Sequence, residues 1–204
     1  MVRRTKDEAE QTCGAILDAA EVVFHKQGVA RTSLQQIAEA AGVTRGAVYW
    51  HFRNKNEVLE ALTQRVILPQ EHVIERLLKS ASDDSLEEMH QATREALQKI
   101  IHEPQRRRIC KILFQRCEYT DDMASIVKRR LETKERMQNR IVKLFEMAQK
   151  KGKLAAGWAP RIASMTLHGL IMGFILGALE REPDKTFEKN CYECLAAFFR
   201  SVSA

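Results

Sequence analysis

The sequence of 204 residues predicts an all-α fold of about nine helices. Three observations predict it. No stretch sustains period-2 alternation with β-branched residues, while apolar residues recur at spacings of three and four. Cap-forming residues stand ahead of the apolar runs, and Gly or Pro closes them. Apolar residues make up 45% of the chain and charged residues 29%, enough to bury a helical core under a solvated surface. Collagen-like, Pro/Gly-rich and disordered classes are thereby excluded.

The elements follow in order. Ala9, Ile16, Ala20, Val23 and Phe24 form one stripe, ended by Gly28. A short second helix starts at Ser33, which has capping-box spacing with Gln36, carries Leu34, Ile37, Ala38 and Ala41 inward and stops at Gly42. A third begins at Thr44, with Val48 and Phe52 on its inner face. Asn54 with Glu57 is a second capping box and opens a long fourth helix. Asp84 with Glu87 is a third. Pro104, Gly152, Gly157, Pro160 and Pro183 mark later boundaries.

Charge is arranged locally. The net charge is +6, which suits an anionic partner but says nothing of fold. Residues 1–60 hold eight basic and eight acidic side chains, yet the signs separate. Arg3, Arg4 and Lys6 open the chain, and Arg45, Arg53 and Lys55 lie in a window from Gly42 to Asn56 with no acid. A nucleic-acid surface needs such a basic face, not a basic domain. The larger excess, fifteen basic against six acidic over Gln105–Lys153, reads as solvated helix faces.

Ser33 to Phe52 carries the most specific signal. Two short helices around a turn at Gly42 have helix-turn-helix spacing. The major groove admits one helix, whose N-terminal residues reach base edges while the preceding helix crosses the backbone. The second helix opens Thr44-Arg45-Gly46-Ala47. Arg45 can donate twice to guanine. Gly46 and Ala47 leave room for close approach, and Ala47 can touch a thymine methyl. Tyr49, Trp50 and His51 are left outward or lateral, available to phosphates, and such an aromatic patch marks a partner surface. Lys55 stands at the start of the next helix, where charge and dipole both favour a phosphate.

Ile16-Leu17-Asp18-Ala19-Ala20, Phe24, Gly28, Thr32-Ser33, Ile37-Ala38, Ala41-Gly42-Val43, Gly46, Tyr49, His51-Phe52 and Lys55 resemble the DNA-binding domain of TetR-family transcriptional regulators. Gly42 to Phe52, with the opening Met1 to Lys6, resembles the AcrR and TtgR branch, repressors of multidrug efflux pumps. So do Arg107-Arg108 and Ile112 to Met123. The resemblance implies DNA contacts at Ser33, Thr44, Arg45, Tyr49, Trp50, His51 and Lys55. It also implies a DNA-binding domain over 1–55, a ligand-binding and dimerisation domain over 56–204, a homodimer on a palindromic operator, and release by a small hydrophobic effector. Within that reading the fourth helix, running past Val66, Leu68 and Pro69, is the mechanical link.

Ile162 to Leu179 has no Asp, Glu, Lys or Arg over eighteen residues, the length of a membrane span. Gly169, Gly173 and Gly177 repeat at the spacing of membrane helix dimers. Ser164, Thr166 and His168 dilute the segment and no second span accompanies it, so a helix buried on both sides is expected. The glycine face is expected against a second subunit, with Ser164, Leu167, His168, Ile171 and Ile175 turned inward. Leu195, Phe198 and Phe199 are expected on the dimer face of the last helix, beside Phe187. Effector-lining candidates are Cys110, Leu113 and Phe114 on one helix, Met137 and Ile141 on the next, and Leu167, His168, Ile171 and Ile175. Thiol, thioether and aromatic groups suit adaptable apolar binding.

Catalysis, cofactor and metal are not expected. Cys191 and Cys194 form a lone CxxC without the second pair that zinc needs or the βαβ context of a redox site. Cys110 and Cys117, seven apart on one helical face, leave a thiol-oxidant signal as an alternative input. A helical protein-interaction module is the alternative from another class. Met1 to Lys6 is followed by acids rather than an apolar segment, and five cysteines are an odd count, so a cytoplasmic location without disulfides is expected.

Overall fold

The computed structural model describes residues 6–80, 84–117, 124–180 and 182–204, with the backbone alone at 67–70, 124–127, 129 and 130. Arg3 and Arg4, the stretch Glu118 to Met123 and the side chains of Leu68 and Pro69 therefore lie outside the described residues. Among the described residues there are nine α-helices: α1 (Lys6–Gln27), α2 (Leu34–Ala40), α3 (Arg45–His51), α4 (Lys55–Ser80), α5 (Ser85–His102), α6 (Pro104–Gln115), α7 (Ala124–Lys150), α8 (Pro160–Glu180) and α9 (Lys185–Val202). The chain divides into two compact units, Met1–Val66 with Arg108–Lys128, and Ile67–Arg107 with Arg129–Ala204.

In the first unit α1 packs on α2 and α3, and α2 packs on α3. Its core is Ile16, Ala20 and Phe24 from α1, Leu34, Ile37 and Ala38 from α2, Val48 and Phe52 around α3, and Val58, Leu59 and Leu62 from α4. Gly28 ends α1 at φ +83°, a left-handed conformation that costs glycine nothing. The next backbone N–H, from Val29, donates to the Arg116 carbonyl at 3.1 Å. Two basic side chains clamp α1. Arg65 donates to Asp18 at 2.6 Å, and Arg108 on α6 donates through Nε to Glu21 at 2.6 Å. Glu21 is only 1% exposed, so the pair offsets the cost of burying its charge.

In the second unit α5 packs on α8 and α9, and α8 on α9. Phe198 stands at the centre of an aromatic cluster, edge-on to Phe145, Trp158 and Phe199. His90 stacks on Phe199 at 4.8 Å. The chain end is tied down by a single antiparallel bridge, Leu154 to Ser203, with Ala204 N–H donating to the Lys153 carbonyl.

Three expectations need correction. Asp84 makes no side-chain cap bond at the start of α5, because its backbone at φ −97°, ψ 25° departs from the extended conformation from which a side chain reaches back to cap; the Glu87 side chain bonds Gln91 at 2.7 Å and His90 at 3.4 Å. Cys110 and Cys117 do not share a helical face, because α6 ends at Gln115. Leu195, Phe198 and Phe199 are buried in the core of their own unit, so they leave no surface for a second subunit.

Candidate nucleic-acid interface

The geometry of α2 and α3 is set by local chemistry. Ser33 caps α2 by accepting from Gln36 N–H, and the Gln36 side chain accepts from Ser33 N–H at 2.9 Å. Two otherwise orphaned donors are satisfied reciprocally. Gln27 Nε2 donates to Gln36 at 3.1 Å and to the Thr32 hydroxyl at 3.2 Å, which fixes the end of α1 to the start of α2. Gly42 takes φ +65° and turns the chain toward α3. Thr44 then caps α3, its hydroxyl accepting from Ala47 N–H at 3.1 Å.

With Val48 fully buried, the rest of α3 must face outward or sideways. Arg45 and Gly46 are exposed and Ala47 is half-buried. Tyr49 is 46% exposed and Trp50 73%. His51 is half-buried and meets the Trp50 ring edge-on at 4.5 Å. The Arg45 guanidinium donates through Nη2 to the Tyr49 hydroxyl at 3.2 Å and lies 5.2 Å from the centre of that ring. Asn54 caps α4, accepting from Asn56 and Glu57 N–H at 3.0 Å each. Glu57 reaches back to Arg53 N–H at 2.8 Å, one residue earlier than a capping box requires. Lys55 is half-buried, and its amine donates to the Ala30 carbonyl at 2.8 Å. That bond ties the start of α4 to the α1–α2 turn and leaves two ammonium hydrogens for an anion.

The sequence did not pair Glu21 with Arg108. Glu21 Oε2 has no hydrogen-bond partner among the described residues, and Arg108, Lys111 and Arg116 surround the same stretch of α1. His25 is held below its ordinary range, by burial first and then by those three cations. An acid at an apolar position of the α1 stripe was the available signal.

The remaining candidates fall in different places. In the first unit, Cys110 and Leu113 are buried on α6 and Phe114 is exposed. In the second, Met137 and Ile141 are half-buried on α7. On α8, Leu167 and Ile175 are buried and His168 and Ile171 half-buried. Gln138 on α7 donates to the Ser164 hydroxyl on α8 at 2.8 Å. Burial, then the nearby charge of Lys134, pushes the His168 imidazole below its ordinary range, which favours the neutral ring. The three glycines separate. Gly169 and Gly173 are exposed, whereas a Cβ on Gly177 would stand 3.0 Å from the Phe187 ring of α9. Ile162 and Met165, 54% and 56% exposed, continue the Gly169–Gly173 face with Leu176. Cys191 is buried and Cys194 exposed, with no disulfide at either. Among the described residues no group of His, Cys, Asp and Glu could hold a metal ion.

A capped three-helix unit presenting arginine and aromatic side chains outward, joined to a larger helical unit, defines a helix-turn-helix regulator. Residues 16–62 match the bacterial regulatory proteins of the tetR family, and residues 84–188 match the C-terminal region of MAATS-type transcriptional repressors. The chain belongs to the TetR family of transcriptional regulators. It is 37% identical to the regulator TtgR of Pseudomonas putida, over 86% of this chain and 83% of that one. NalD, the secondary repressor of the MexAB-OprM multidrug efflux pump in Pseudomonas aeruginosa, superposes with a TM-score of 0.85 at 38% identity, covering 97% of this chain and 98% of that one. SmeT, the repressor of the Stenotrophomonas maltophilia efflux pump SmeDEF, was solved with triclosan; that complex gives a TM-score of 0.86 at 29% identity, covering 95% and 92%.

Proposed function

We propose that this chain is a homodimeric repressor of a multidrug efflux operon, bound to a palindromic operator through α3 and released by a small hydrophobic effector. The observation that carries the DNA reading is the outward face of α3, where Arg45, Tyr49 and Trp50 stand exposed in a stretch without acids. Arg45 reads a guanine, with Gly46 and Ala47 admitting the base edges and Thr44 at the groove wall. Ser33, Trp50, His51 and Lys55 hold the sugar-phosphate backbone. Residues 1–55 carry this task, and residues 56–204 the other two.

The exposed Ile162, Met165, Gly169, Gly173 and Leu176 face of α8 joins two copies, with the glycines letting backbones approach. Two-fold symmetry then matches a palindrome whose successive major grooves lie about 34–36 Å apart. In the second unit we assign the effector to half-buried Met137, Ile141, His168 and Ile171 with buried Leu167 and Ile175, the His168 imidazole serving as the polar contact. Cys110, Leu113 and Phe114 on α6 are the further candidates. An effector that favours the released form by about 1–3 kcal/mol lowers DNA affinity roughly 5- to 150-fold. The efflux target is supported by the named roles of NalD and SmeT. α4 starts in the first unit and ends in the second, and we assign it the transmission of that signal.

The test is a gel-shift titration with the DNA upstream of the chain's own gene, repeated with a panel of small hydrophobic compounds that includes triclosan. A selective complex dissolved by some of them is the expected result. A selective complex that no apolar compound touches overturns the effector assignment.

A further inference from the structure

We infer that Tyr49 is a positioning residue for Arg45, so that its hydroxyl sharpens base discrimination rather than adding backbone affinity. This rests on the reading of α3 as the recognition helix. Arg45 is the first residue of α3, with a long side chain that projects into solvent. An arginine in that position has many accessible rotamers, and ordering it on the DNA would subtract from every specific contact it makes. Tyr49 lies four residues on, on the same helical face. It holds the guanidinium by a hydrogen bond of 3.2 Å to the hydroxyl, with the ring centre 5.2 Å from the guanidinium carbon.

The chemistry of the tether matters. A carboxylate at this position would order the guanidinium equally well but would neutralise it and compete with guanine for the fork. A phenol hydroxyl is a neutral acceptor, so the positive charge stays available. It uses one of five N–H donors and leaves enough for two parallel bonds to O6 and N7. Two acids flanking this surface are engaged elsewhere: Glu39 accepts from Gln35 at 2.8 Å and Glu57 from Arg53 N–H at 2.8 Å. Tyr49 itself stays half-exposed, so its ring is not needed to fill the core.

The test is Tyr49→Phe, which keeps the ring and removes the acceptor. The probes are a duplex that the wild-type protein selects from a random pool and a scrambled duplex of the same composition, each titrated at two salt concentrations. The expected result is a selective-to-scrambled affinity ratio about 3- to 10-fold smaller, the larger loss falling on the selected duplex. In an Arg45→Ala background the same substitution should leave the ratio where Arg45→Ala alone puts it. An equal loss on both duplexes overturns the proposal and makes the hydroxyl a phosphate contact; an unchanged ratio overturns it as well. Arg45→Ala alone is the control for the recognition reading. If it leaves the ratio intact, α3 does not read bases through Arg45 and both statements fail together. If it lowers the ratio while Tyr49→Phe does not, only the positioning role fails.

Discussion

Two exposed faces, on α3 and on α8, leave hydrophobic side chains in water for opposite reasons. On α3 the exposed groups are Tyr49 and Trp50, and Arg45 stands beside them. On α8 they are Ile162, Met165 and Leu176, aliphatic or thioether, with the exposed glycines 169 and 173 along the same side. An aromatic ring with a polar edge beside a cation suits a partner that is charged and hydrogen-bonding. An aliphatic stripe with glycines suits a partner that is another helix, since its gain comes from apolar area and close backbone approach. Exposure alone does not name a partner, whereas the chemistry of what surrounds the exposed group does.

The sharpest way to break the comparison is to charge the α8 face. Ile162→Glu with Met165→Glu should leave each chain folded, because both side chains already meet solvent, but should separate the dimer in sedimentation. Losing the second half-site should then weaken operator binding by about 100-fold or more. A dimer that persists would show that α8 is not the joining face. Next in size, Arg45→Ala should weaken selective binding by about 1–3 kcal/mol and relax one base position, leaving the dimer intact. Thr44→Ala should cost about 1 kcal/mol of stability by urea unfolding, because it removes the α3 cap; an unchanged midpoint would mean that packing of Val48 alone holds α3.

The smallest expected effect is on pH, and it is common to both units. His25 and His168 have lowered pKa values in the folded chain, each chiefly from burial. The unfolded chain therefore binds more protons over the window just below the ordinary imidazole value of about 6.5. Stability should be fully present above that value and decline as pH falls through the window toward the lower folded pKa values. A urea midpoint that rises on acidification would contradict this sign. His168→Asn should make the decline shallower.

The recognition unit was legible almost residue by residue because its signals are local. Ser33 with Gln36, Gly42 and Thr44 each dictate the backbone within three or four positions, and the alternation of buried Val48 with outward Tyr49 and Trp50 follows from helix period. The second unit was legible as helices but not as contacts. Periodicity shows that Leu195, Phe198 and Phe199 form an apolar face; it does not say what covers it, and the answer is Trp158, Phe145 and α5 of the same chain. Gly177 shares a helical face with Gly169 and Gly173 on a wheel, yet Phe187 claims it. Asp84 has the right spacing for a cap, but spacing does not reveal the non-extended backbone that keeps its side chain from capping. The part-buried Glu21–Arg108 pair joins residues 87 positions apart, beyond any local pattern.

The most direct test of the central claim uses the one strong reporter on the outward face of α3. Trp50 is exposed, while the other tryptophan, Trp158, is half-buried against Phe198. Tryptophan fluorescence should be followed while the DNA upstream of the chain's own gene is added at two salt concentrations, with a scrambled duplex as competitor. Recognition through α3 should give tight, salt-dependent binding that the scrambled duplex does not displace, with a fluorescence change that disappears in Trp50→Phe. Equal affinity for both duplexes, or a change that persists without Trp50, would contradict it.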